Sequence, residues 1–234
     1  MSELAHLGPV EVFTPKFDAS LAFFVDILGM DVEAEAGPST YLRGWGDYQR
    51  WSLKLIASDT SGMGVLGLRA WSPEALERRV AAIEATGLGE GWTDGDLGRG
   101  ASYRFRDPDG HRFELYYECE RYDPPEHLRP SLKNVPGRYT GRGIAIKRLD
   151  HINVLAADVR ANREFCVDAL GYRLYERIQL DDGSEAGAWM SATIAAHGRR
   201  RARRRRRAGT PRACRPRTRG GGGGRWRRGR RACR

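Results

Sequence analysis

The chain has 234 residues, a formal net charge of +10 and four cysteines. Eighteen of its 40 basic residues fall in residues 198–234, where no acidic residue occurs, so residues 1–197 carry 30 acidic against 22 basic side chains, net −8. The folded part therefore lacks the basic footprint of a nucleic-acid-binding domain. The cysteines (Cys119, Cys166, Cys214, Cys233) form no CxxC pair or disulfide-like framework, and a reducing, cytoplasmic setting is expected. The N-terminus MSELAHLGPVEV has no charged leader and no apolar h-region, and no apolar run reaches the ~18 residues of a membrane span.

In chain order, Val10 to Phe13 reads as a strand. Asp18 can cap a following helix, to which Leu21, Phe23, Phe24 and Ile27 lend apolar contacts and which Gly29 stops. Residues 30–36, 39–45 and 50–57 read as three strands parted by Gly37-Pro38 and Gly46-Asp47. A second round follows: a strand from Gly64 to Ala70, then a helix opened by Ser72-Pro73 and closed by Gly87. Strands near 90–93, 101–106 and 111–118 complete it, with Asp107-Pro108-Asp109-Gly110 as the last turn. The order is βαβββ, twice, in residues 1–122. Residues 123–148 are rich in Pro, Gly and basic side chains and read as a linker between domains.

At Leu149 the pattern starts a third time. LDHINVLAAD alternates, placing Leu149, His151, Asn153 and Leu155 on one face and Asp150, Ile152 and Val154 on the other. Shifted by 142 residues without a gap, Phe23, Val25, Asp26, Leu28 and Gly29 fall on Phe165, Val167, Asp168, Leu170 and Gly171; both copies read F-x-V-D-x-L-G. The same shift sets Pro9 on His151. A helix near 159–169, a strand at 172–180, a turn at Asp181-Asp182-Gly183 and a strand at 186–195 follow, and the pattern stops at His197. A single module in the second domain, residues 149–197, leaves a sheet edge open and an apolar face uncovered.

Residues 198–234 contain no Val, Ile, Leu, Met, Phe or Tyr and cannot form a core. An Arg/Gly segment of this kind can neutralise phosphates and bind nucleic acid without specificity. The abrupt switch to Arg, Gly, Ala and Pro in mid-module is equally the alphabet of a GC-rich gene read out of frame, and that reading is preferred.

Three stretches carry a resemblance: LDHINV at 149–154, ERIQLDDG-x-EAGAWM at 176–190, and His197. In the first domain, LGPVEVFTPKFDASLAFFVDILGM at 7–30 and RFRDPDGHRFELY at 104–116 add to it. Together they resemble the extradiol ring-cleaving dioxygenases of the vicinal oxygen chelate superfamily, most closely the catechol 2,3-dioxygenases. DPDGHRFELY marks the superfamily only; LDHINV, GAWM and the histidine spacing are specific to the dioxygenases. The resemblance implies an α+β fold of repeated βαβββ modules. It implies an enzyme opening catechol with O₂ beside its hydroxyls, giving 2-hydroxymuconate semialdehyde, and intact relatives that are homo-oligomers.

Such enzymes hold Fe(II), or in some relatives Mn(II), through two histidines and one carboxylate, leaving positions for both catechol oxygens and O₂. By resemblance His151 is the first metal ligand, His197 the acid/base histidine, and Asn153 and Trp189 pocket residues beside the substrate. The second histidine and the glutamate belong to a fourth module. Residues 198–234 supply neither a histidine nor a carboxylate side chain, so the chain is expected to be inactive as it stands. In the first domain the histidine positions fall on Pro9 and Gly64, which cannot ligate; Glu114 stands at the carboxylate position as a relic or surface residue, and the domain reads as metal-free scaffold. His6 lies near a strand, His111 is expected to face solvent, and His127 lies in the linker. A metal-free protein of the same fold holding small aromatic ligands is the alternative, and a nucleic-acid binder acting through the tail is a weaker one.

Overall fold

A computed structural model describes residues 3–133 and 135–192, which lie within one compact unit spanning Met1–Ala196. The first eight strands form one sheet in the order β2-β3-β4-β1-β5-β8-β7-β6. They are β1 (Leu4–Thr14), β2 (Asp31–Ala36), β3 (Ser39–Arg43), β4 (Leu53–Ala57), β5 (Gly62–Ala70), β6 (Gly89–Thr93), β7 (Ser102–Arg106) and β8 (Arg112–Tyr116). Helix α1 (Phe17–Ala22) follows β1, and α2 (Pro73–Glu84) follows β5. In each module the first strand runs parallel to the last, β1 with β4 and β5 with β8, and the two modules join through the antiparallel pair β1·β5. The βαβββ order read from the sequence is the order observed.

The two halves are related by a twofold visible in the strand register. His6 pairs with Arg69 and Phe13 with Gly62; Leu7 pairs with Leu68 and Val12 with Met63; Val10 pairs with Leu66. Adding 56 to a β1 number gives its β5 counterpart, and every one of these pairs then maps onto another pair or onto itself. The two strands share a bulge in the same relative place, at Gly8-Pro9 and at Gly64-Val65, and β1 has a further irregularity between Leu4 and His6. A bulge sets two residues opposite one and bends the strand.

Strand alternation sorts the side chains. Val10, Leu42, Leu53, Leu55, Leu66, Leu68, Phe105, Phe113 and Leu115 form the main core. Val80 and Ile83 of α2 bury against it, and Ser72 caps α2 by accepting from the Ala75 amide at 3.2 Å. The first helix departs from expectation. Lys16, not Asp18, precedes it, without a side-chain cap, and Asp18 sits in the first turn. From Phe23 to Ile27 the backbone widens into a π-helical turn, with the Leu28 amide donating to the Phe23 carbonyl. The extra residue rotates the face: Phe24 packs on the core while Phe23 and Ile27 are exposed.

The third module contributes α3 (Val159–Asp168) and a separate two-stranded sheet of β9 (Arg173–Gln179) and β10 (Glu185–Ser191). Helix α3 repeats α1 in its stop. Gly29 and Gly171 both adopt φ +74, and the Met30 and Tyr172 amides reach back to the Phe24 and Cys166 carbonyls. Without a π turn, Phe165 stays on the buried face, its ring 6.0 Å from Phe105. The strand expected at 149–155 is not assigned. The segment alternates, with His151, Asn153 and Leu155 exposed and Ile152 and Val154 half-buried.

The linker is less free than its composition suggests. A single 3₁₀ turn (Glu126–Leu128) holds His127, and the following stretch docks on the first module. Ile144 and Ile146 amides donate to Ile27 and Leu28 carbonyls; Gly46 donates to Lys147; the Trp45 indole donates to Ala145. Arg142 bonds the Met30 carbonyl at 2.7 Å and the Asp31 carboxylate at 2.9 Å.

Candidate functional site

On the side of the first-domain sheet away from its helices, polar groups are packed rather than solvated. Glu114 is buried, which corrects its expected surface position. Its carboxylate pairs with Arg99 and accepts from the Ser102 hydroxyl at 3.2 Å. The Arg99 guanidinium lies 4.6 Å from the Trp51 ring and 5.2 Å from the Tyr116 ring. Tyr116 donates to Gln49 Oε1 at 2.8 Å. Burial pushes its hydroxyl far above the ordinary phenol range, with Arg99 opposing.

Beside it, Lys54 bridges Asp96 at 2.7 Å and Glu11 at 3.5 Å, and Asp96 accepts from Tyr41 at 2.8 Å. Burial raises the Asp96 pKa, but Lys54, the Leu97 amide and the Tyr41 hydroxyl together hold it below the ordinary carboxylate value. A Cβ at Gly8 would collide with the Tyr116 hydroxyl, and one at Gly67 would sit 3.1 Å from the Pro9 ring. By the twofold, the counterpart of Pro9 on β5 is Val65, and Gly64 is the counterpart of Gly8. Proline and valine ligate nothing, so Glu114 serves Arg99.

His111 and His6 are structural as well. Asp107 accepts from the His111 amide and contacts its ring Nδ1 at 2.7 Å, which half-buries the ring instead of turning it to solvent. His6 stands edge-on to Tyr48 at 5.3 Å and contacts its hydroxyl. Burial lowers its pKa, with the Leu7 carbonyl opposing.

In the third module α3 is fixed before the candidate residues are presented. Asp158 caps it, accepting from Ala161 at 3.0 Å. Asp109, in the first domain's last turn, accepts from the Ala157 amide at 2.8 Å and from Asn162 at 2.7 Å. Glu185 of β10 has only 1% of its side chain exposed and gathers Arg163 at 2.8 Å, Arg177 at 3.1 Å and Arg160 at 3.6 Å. Arg163 in particular holds the Glu185 carboxyl below its usual range. This cluster joins α3 to β10 and escaped sequence reasoning. Its signal was Arg at i and i+3 on a helix facing a strand glutamate.

His151 and Asn153 emerge on one side of their segment. The His151 side chain is 77% exposed, with Nδ1 3.3 Å from Asp150 Oδ2. Asn153 and Leu155 line an open cleft of about 500 Å³ with Phe13, Met63, Arg106 and His111, and neither His151 nor Trp189 is part of its lining. Trp189 is half-exposed on β10, opposite Glu176. His197 lies outside the described residues. Among the described residues no three His, Cys, Asp or Glu side chains converge into a metal-binding group. The donors present here thus do not fit a two-histidine, one-carboxylate iron site.

Comparison with known proteins gives the setting. The profile of the Glyoxalase/Bleomycin resistance protein/Dioxygenase superfamily matches residues 4–115. The chain is 43% identical over 195 residues to a metapyrocatechase of Geobacillus stearothermophilus, covering 83% of this chain and 59% of that protein. It is 33% identical over 198 residues to a manganese-dependent 2,3-dihydroxybiphenyl 1,2-dioxygenase of Geobacillus genomosp. 3, covering 84% and 62%. An extradiol ring-cleaving dioxygenase from Brevibacterium fuscum superposes with a TM-score of 0.66 at 27% identity, covering 81% of this chain and 51% of that one. The chain thus spans about three fifths of the length of the curated relatives it matches. With its paired βαβββ modules, the stretch at 4–115 is a domain of the Glyoxalase/Bleomycin resistance protein/Dioxygenase superfamily, and the chain is similar over most of its length to these dioxygenases.

Proposed function

We propose that this chain derives from an Fe(II) extradiol dioxygenase, one that opens catechol-type rings beside the two hydroxyls to 2-hydroxymuconate semialdehyde, and that it is inactive in the form given. The observation that carries the reading is the 43% identity to a metapyrocatechase across 195 residues. His151 is the first metal ligand of that lineage, Asn153 and Trp189 are its substrate-side residues, and His197 is its proton-handling histidine. Mn(II) is the alternative metal, given the manganese-dependent relative. Iron, when bound, supplies a site where catechol and O₂ meet. One exposed imidazole with the Asp150 carboxylate beside it falls short of a two-histidine, one-carboxylate set among the described residues, so no step is assigned to it. The substrates are a small aromatic diol and O₂, the setting is cytoplasmic, and residues 198–234 touch nucleic acid only through unspecific charge.

The domain plan we propose is a scaffold domain at 1–122, a linker at 123–148, one catalytic module at 149–197 and an out-of-frame tail. The test is to shift the reading frame by one base at codons 196–199 and assay both chains aerobically with catechol and Fe(II). The shifted chain is expected to give the yellow ring-cleavage product and the given chain none. Cleavage by the given chain would refute its inactivity; an unopened frame would refute the origin of its tail.

A further inference from the structure

The cleft between the first domain's last turn and the third module gathers positive charge that its own lining does not neutralise. Arg106, His111 and Arg112 line it from β7, β8 and the turn that joins them, around about 500 Å³. Phe13 and Met63 add apolar surface from the ends of β1 and β5, and Asn153 and Leu155 line it from the third module. No acidic side chain is among its described lining residues. The acids close by are engaged. Asp107 is buried, accepting from the Asp109 and His111 amides and meeting the His111 ring at 2.7 Å. Asp109 accepts from the Ala157 amide and from Asn162, which ties the turn to the third module across the cleft. Glu90 is paired with Arg106, whose guanidinium also donates to the Gly110 carbonyl at 3.1 Å. Arg112, at the first position of β8, makes no hydrogen bond or ion pair with any described residue.

We propose that this cleft binds a small organic monoanion, a carboxylate carried on an apolar body, with the carboxylate on the Arg112 guanidinium and the apolar part against Phe13, Met63 and Leu155. A guanidinium presents two parallel N–H donors to a carboxylate, and such charge-assisted bonds are stronger than neutral ones. The volume is that of a small-molecule site, which combines an apolar lining with a few fixed polar groups. Two features set the class of ligand. One guanidinium without a counter-charge suits a single negative charge. The apolar residues, contributed by the first domain and the third module alike, favour an organic anion over an inorganic one, which would leave them without contact. The Asn153 amide offers a further donor to the carboxylate. The proposal rests chiefly on first-domain side chains and is independent of any ring-cleaving activity.

The test is titration of the full chain with sodium benzoate, followed by the NMR shifts of the Gly64 and Gly110 amides. Both glycines line the cleft, so their shifts separate binding there from benzoate attracted to the arginines of 198–234. Both amides are expected to shift saturably with benzoate. Benzamide has the same shape without the charge, and inorganic phosphate has the charge without the apolar body; each should need at least about tenfold more for the same shift. Arg112→Ala should raise the benzoate midpoint about tenfold, the loss of one charge-assisted pair, and Arg112→Lys should raise it less. Arg78→Ala, which removes an arginine paired with Glu3 and outside the lining, should leave the midpoint unchanged. If Arg112→Ala fails to fold, as judged by its amide dispersion, Met63→Trp tests the apolar half, and filling the cleft should abolish the shifts. Benzoate that moves neither amide overturns the proposal. So does benzoate matched by benzamide or phosphate, or bound by Arg112→Ala as by the wild type.

Discussion

Arg99 and Glu114 form an ion pair buried within the first domain. Both side chains are about 95% buried, and each is the other's counter-charge. Removing one partner of such a pair leaves an uncompensated buried charge, a loss of about 3–5 kcal/mol. Arg99→Ala is expected to lower the unfolding free energy by that much in urea titration, and the Arg99→Met/Glu114→Leu pair to recover most of it. Glu114 was legible in the sequence as a carboxylate at a ligand position. Its partner was not, because Arg99 approaches from a loop fifteen residues earlier and nothing local marks the contact. His6 carries a pH effect. Burial lowers its pKa below 6.5, so the unfolded chain binds the proton more tightly. The stability His6 contributes is present above pH 6.5 and is lost as pH falls through that value, by up to about 1.4 kcal/mol per unit. His6→Gln should flatten that part of the acid limb of a stability-versus-pH curve.

At the level of elements, sheet and helices differ in how far local pattern determines them. The order of β1 through β8 with α1 and α2 followed from alternation and turn residues, because each strand has an adjacent partner in the same half. The π turn at Phe23–Ile27 did not, since the same F-x-V-D-x-L-G letters give a regular α-helix at 159–168. Tertiary packing, including the linker amides on the Ile27 and Leu28 carbonyls, distinguishes the two copies. The segment at 149–155 was read as a strand from its alternation, and no strand is assigned there. For β9 and β10 the exposed faces predict weak protection. Amide exchange across 173–191 should run faster than in β1 and β5. Trp189, half-exposed, should be quenched by acrylamide while Trp51, 2% exposed, should not.

For the molecule as a whole, alkaline pH is the more severe challenge. Burial pushes the Cys166 thiol up to about 12 and raises the Tyr116 and Tyr172 hydroxyls above the ordinary phenol value. An acid whose folded pKa is raised stabilises the fold below its unfolded pKa and loses that contribution above it. Thermal stability should therefore hold to about pH 8.5 and fall from there as Cys166 and then the tyrosines ionise in the unfolded chain. Cys166 should also resist alkylation at pH 8 until denaturant is added.

The docked linker bears on covalent continuity. Leu132 is 71% exposed, whereas Arg142 to Lys147 lie hydrogen-bonded along the first module and Phe165 is seated in the first domain's core beside Phe105 of the second module. A protease that nicks the backbone near Leu132 would cut the chain in two without separating the halves. The two pieces should migrate together on a sizing column under native conditions and part only when denatured. What joins the third module to the first domain is the contact surface, and the peptide bond between them is dispensable once folding is complete.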